Sequence, residues 1–240
     1  MMLDSLSLLN RRTLIFDHGP LYHEFIADGT VREPWNAYSS LVFFIPVIFW
    51  ILYLRGQYKD HKIIVALLPF LFLNGIGSTL YHAFRASDFL LLLDWMPASI
   101  MSILLSSYFW TKIVKKWYFG FLCVLAFYVA SSVVVGLVTT PENRDLAPNI
   151  SYFFVGCSFL IPIVIHLYKN QFRFWYHVFA AFLFLGFSLL FRTLDYPTPN
   201  PFPALLPQGT HFLWHVFSSF AVFSMGFYIY NSNLRKQGKL

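Results

Sequence analysis

Long apolar runs, broken by short polar stretches, dominate this chain. With about 20 apolar residues taken as one membrane crossing, the runs at roughly 37–54, 62–82, 89–110, 117–138, 149–168, 174–194 and 210–230 predict seven helices in one all-α membrane domain. The predicted organisation is an extramembrane N-terminal segment, 1–36, a seven-transmembrane helix bundle, 37–230, and a tail, 231–240.

Composition agrees with that pattern. Of the residues, 58% are hydrophobic and only 12% charged, where soluble domains carry about 25% charged residues. The net charge of +6 does not read as a nucleic-acid surface, because the lysines and arginines fall in the stretches between apolar runs and not on one amphipathic face. Their placement is a topology signal. Arg55, Lys59, Lys62, Lys112, Lys115, Lys116, Lys169, Arg173 and, in the tail, Arg235, Lys236 and Lys239 lie on one side, outnumbering Arg11, Arg12, Arg32, Arg85, Arg144 and Arg192 on the other. The positive-inside rule then puts the N-terminus outside or lumenal and the C-terminus cytoplasmic. The opening MMLDSLSLLNRR carries its arginines after its apolar part, the reverse of a cleavable signal, so the N-terminus is expected to be retained. Cys123 and Cys157 both sit inside apolar runs, as packing residues do.

The candidate chemistry lies at one predicted depth. His211 and His215 are four residues apart at the start of the last run, so on a helix their imidazoles share a face. His82 ends the second run, with Ser78 one turn before it, and Asp94 opens the third; the predicted topology brings all of these to the N-terminal side of the membrane. Ionisable residues at membrane depth face a cavity or a partner, which makes Asp94 a functional candidate; pairing with Arg85 is its structural alternative. Three imidazoles with a fourth position open are the ligand pattern of a catalytic zinc, and zinc lowers the pKa of bound water to about 7. Asp94 would exchange the proton and Ser78 would hydrogen-bond the water or the developing oxyanion. His61, His166 and His177 fall at the opposite depth and His18 and His23 in the N-terminal segment.

Two further stretches have open readings. Asp17, Glu24, Asp28 and Glu33 crowd the segment before the first helix, either as hard oxygen ligands for Ca²⁺ or as solvated helix-start acids. The proline-rich loop 196–208 could rim the site or serve as a plain connector, and Asp195 before it could pair with Arg192 or cap a helix end.

Four motifs in order, Glu33-Pro34-Trp35-Asn36 with Ser39, Gly75-Ile76-Gly77-Ser78 with Tyr81-His82, Leu93-Asp94-Trp95-Met96-Pro97 and Thr210-His211-Phe212-Leu213-Trp214-His215, resemble the alkaline ceramidases and their bacterial ceramidase-domain relatives. The wider group also contains the adiponectin-receptor-like proteins. The resemblance implies zinc on His82, His211 and His215, Ser78 and Asp94 beside the water, and hydrolysis of a ceramide amide to a sphingoid base and a fatty acid. It implies residence in a bacterial inner membrane or an endoplasmic reticulum or Golgi membrane. It also implies calcium before the first helix, where Glu33 matches. The family's Trp-Cys-Glu cluster, however, appears here only as His23-Glu24, with Asp17 and Asp28 at altered spacing. The stretch from His82 to Asp94 is about one residue longer than the family pattern, which leaves Asp88 as an alternative acid. The alternative function is a seven-helix receptor or sensor with a structural or weakly hydrolytic zinc. A transporter would show paired broken helices or internal repeats, and none is apparent.

Overall fold

In a computed structural model the described residues are 15–140, 143, 146–195, 199–236 and 238; the opening stretch, Arg144, Lys239 and residues 196–198 lie outside them. Among the described residues every regular element is helical: α1 (Pro34–Ser40), a 3-10 turn (Leu41–Phe43), α2 (Phe44–Tyr53), α3 (Lys62–Phe84), α4 (Asp88–Val114), α5 (Trp117–Val138), α6 (Leu146–Lys169), α7 (Trp175–Asp195) and α8 (His211–Lys236). Among the described residues six stretches are long and apolar enough to cross a membrane, namely 34–53, 62–84, 88–114, 117–138, 175–195 and 211–235. The chain is an all-helical, multi-pass membrane protein. Where a seventh crossing was expected at 149–168, α6 forms, but the apolar run found in it, Phe153–Lys169, is shorter than the others. The predicted tail is still helical as far as Lys236.

The first crossing begins earlier than its apolar run, because Pro34 starts α1 with the fixed φ that suits a first helical turn. Glu24, far back in the chain, caps that turn: its carboxylate accepts the backbone N–H groups of Trp35 and, at 2.9 Å, of Asn36.

Two compact units divide the chain, one made of residues up to Ala98 and from Tyr176 onward, the other of 99–175. In the first, α1 packs on α3 and α8, and α2 on α3. Its interior holds Trp50, Leu54, Tyr81 and Tyr228. Small residues set the close approaches: Gly226 lies against the Trp50 indole, and a methyl on Gly77 of α3 would collide with the Leu93 carbonyl group of α4. Ser188 of α7 hydrogen-bonds the Trp214 carbonyl of α8 at 2.9 Å. In the second unit α5 packs on α6, and Trp110 Nε1 donates to the Ser158 carbonyl at 3.0 Å. Cys123 and Cys157 are both free thiols.

Candidate metal centre

All the side chains that matter here belong to the first unit. His82 closes the last turn of α3 and His211 and His215 open α8. Each offers a ligand nitrogen within 4.8 Å of the other two, and all three are buried. Among the described residues no other group of three or more histidine, cysteine or carboxylate side chains gathers in this way.

Each imidazole is held from behind. Glu33 Oε2 lies 2.5 Å from His82 Nδ1, which leaves Nε2 as the inward nitrogen. Ser39 Oγ lies 2.8 Å from His215 Nδ1, with Ser40 Oγ at 3.3 Å; Ser39 donates to the Asn36 carbonyl, and Ser40 directs its hydrogen to that carbonyl or to Ser78 Oγ. With their hydrogens so directed, the serines accept from His215 Nδ1–H. Metal-binding histidines are fixed by partners of this kind. Tyr22, from the N-terminal segment, stacks on the His211 ring with centroids 3.8 Å apart. Burial pushes its phenol well above the usual value, so it stays a neutral donor.

His82 Nε2 and His211 Nδ1 are buried with no hydrogen-bond partner among the described residues. Leaving a buried polar atom unpaired costs about 1–3 kcal/mol, and a metal ion among the three rings would satisfy both. The donor set, three nitrogens and no thiolate, suits zinc. Ser78 Oγ, buried, lies 3.5 Å from His215 Nε2 and 2.9 Å from Ser40 Oγ. Asp94 is half-buried in the same unit, next to the residue that Gly77 packs against, and its charge acts on Tyr22. Arg85, offered above as a partner for Asp94, pairs instead with Asp17 and Glu33. Asp88, the alternative acid, is exposed and bound to His18 at 2.8 Å.

The four acids of the N-terminal segment do not gather into one ligand set. Asp17 accepts from Arg85, Gly19 and Tyr81, Glu33 from His82, Arg85 and Asn36, and Glu24 from the α1 backbone, while Asp28 is exposed. Burial pushes the Glu24 carboxyl up to about 7 against the pull of the Trp35 and Asn36 N–H groups.

The remaining histidines lie elsewhere: His61 stacks on Tyr230, His177 on Phe227, and His166 lies against Phe109. His23 is the exception, because it meets Asp195 beside the start of α8.

Sequence reasoning passed over the supporting roles of Tyr22 and Arg85, and offered Asp195 a helix cap without the start of α8 as the helix it caps. Their partners are distant in the chain, so no local spacing marks them. For Glu33 a signal existed, since an acid just before a helix can also orient a histidine from another one.

A helical membrane protein with a buried three-histidine centre is the class that fold and site define. No protein-family model matches the chain, and no curated protein matches its sequence at a significant level.

Proposed function

We propose that this protein is a zinc-dependent intramembrane amidase that hydrolyses ceramide or a similar N-acyl sphingolipid to a sphingoid base and a free fatty acid. The observation that carries this reading is the convergence of three buried imidazoles, two of which carry a buried nitrogen with no hydrogen-bond partner among the described residues. Held by His82, His211 and His215, zinc supplies a Lewis acid and an acidified water. Asp94 takes the proton of the attacking water and returns it to the leaving amine. Ser78 donates a hydrogen bond to the oxyanion that develops on the amide carbonyl. Glu33 and Ser39 keep the imidazoles of His82 and His215 in the ligating tautomer. The topology that goes with this reading has seven crossings, the N-terminus outside or lumenal and the C-terminus cytoplasmic, so the site opens to the outer or lumenal leaflet.

Purified protein incubated with ceramides of varied chain length, with and without a chelator, is expected to release fatty acid only when the metal is present. Absence of metal-dependent release from every N-acyl lipid tried overturns the reading. Asp94→Asn is expected to retain zinc and lose about 10²–10⁴-fold in turnover. Zinc binding without turnover of any lipid would instead favour a sensor.

A further inference from the structure

Two carboxylates of the N-terminal segment, Asp17 and Glu33, flank a positive charge that belongs to the chain itself. Arg85, the residue after α3, is buried and takes the left-handed conformation, φ 49. That turn swings its side chain back into the segment. Nε and Nη2 reach Asp17 Oδ2 and Oδ1 at 2.9 Å each, and Nη1 reaches Glu33 Oε1. The fork of the guanidinium thus joins two carboxylates, Asp17 through two nitrogens and Glu33 through the third, as a planar donor does and a point charge does not. Tyr81 lies under the guanidinium, 4.8 Å from ring centroid to Cζ. The backbone closes the same contact, since Phe16 N–H donates to the Arg85 carbonyl at 3.3 Å and Glu33 N–H to the His82 carbonyl at 3.0 Å.

Every carboxylate oxygen of Asp17 and Glu33 already faces a protein donor, so a divalent cation placed among them would meet the donors' positive ends. The guanidinium also offsets one of the two carboxylate charges without such a cation. Two carboxylates and one guanidinium leave a single negative charge, and Glu33 directs it at the back of His82.

We infer that the Arg85 guanidinium is the cation around which the N-terminal segment is built, in place of the calcium that its acids suggest, and that through Glu33 it positions His82 to bind metal. The second half rests on the three histidines being a metal centre; the first half does not. Arg85 is a positioning residue, two hydrogen bonds removed from the ligand nitrogen.

The test uses the purified full chain, stripped of metal, with zinc affinity read by chelator competition and folding by thermal midpoint. In the wild type, millimolar Ca²⁺ is expected to change neither. Arg85→Ala is expected to lose at least about tenfold in zinc affinity and to regain part of it, and of its midpoint, with Ca²⁺, because two carboxylates then share a space without a counter-charge. Arg85→Lys, a point charge without the fork, is expected to fall between the two. A wild-type midpoint or zinc affinity that rises with Ca²⁺ overturns the inference, as does an Arg85→Ala protein that binds zinc like the wild type. Should Arg85→Ala fail to fold, Arg85→Lys and the wild-type calcium measurement decide the matter. A wild type that binds no zinc sinks the metal-centre reading, while the midpoint response to Ca²⁺ still decides which cation the segment uses.

Discussion

Asp195 at the end of α7 caps the helix that carries His211: its Oδ2 accepts the backbone N–H groups of Thr210 at 2.6 Å and His211 at 2.8 Å. Oδ1 accepts His23 N–H at 3.2 Å and lies 3.0 Å from His23 Nδ1. Gly209, at φ +83, has no side chain to obstruct the carboxylate. One buried acid therefore ties α7, the start of α8 and the N-terminal segment together. Asp195→Ala is expected to cost at least the about 1–2 kcal/mol of a lost cap and to weaken zinc binding, with Asp195→Asn milder. Thermal unfolding in detergent and chelator competition read both effects; an unchanged midpoint in the alanine variant would refute the capping role.

The serines behind His215 make a graded prediction. Ser39→Ala removes the closer acceptor and is expected to reduce zinc affinity by about tenfold, while Ser40→Ala, whose oxygen is farther from Nδ1, costs less. The double variant should lose more than either. Equal affinities in all three proteins would show that the serines do not set the tautomer.

Glu24 supplies a pH dependence with a definite sign. Burial holds its carboxyl up to about 7, against 4.5 in an unfolded chain, so the folded state binds that proton more tightly. Its contribution to stability is complete below pH 4.5 and is lost as pH rises through about 7. Glu24→Gln is expected to flatten the fall in unfolding midpoint across that window. A slope identical to the wild type's would assign the effect to another group.

Gly77 and Gly136 are both glycines inside apolar helices, with opposite expectations. A methyl at Gly77 meets the Leu93 carbonyl group, whereas nothing lies within 4 Å of one at Gly136. Gly77→Ala is expected to destabilise by about 1–3 kcal/mol and to lower turnover by displacing Asp94. Gly136→Ala should be neutral or slightly stabilising. Comparable midpoints for the two variants would contradict the packing argument.

The helices were legible because membrane crossings are written in composition: α3, α5 and α7 begin and end within a few residues of their apolar runs. The start of α1 was not, since Pro34 and Trp35 precede the run and the turn there is capped from Glu24. Spacing alone paired His211 with His215, and charge-based topology brought His82 to the same end. The supporting groups escaped because each acts over a long loop. Arg85 looked like a topology charge and is an internal counter-ion; Asp195 sits fifteen residues before the N–H it caps. Glu33 looked like a cation ligand, and its oxygens face His82 and Arg85.

The histidine trio also bears on how the protein is made. Ser78 and His215 approach each other across 137 residues of chain, and His82 lies on the same helix as Ser78, so a nascent chain that has made α3 carries one histidine of the trio and lacks the other two. Were the trio to hold zinc as proposed, metal capture would wait until the first two turns of α8 stand beside the end of α3. Metal loading during synthesis would then report that the last helix is in place.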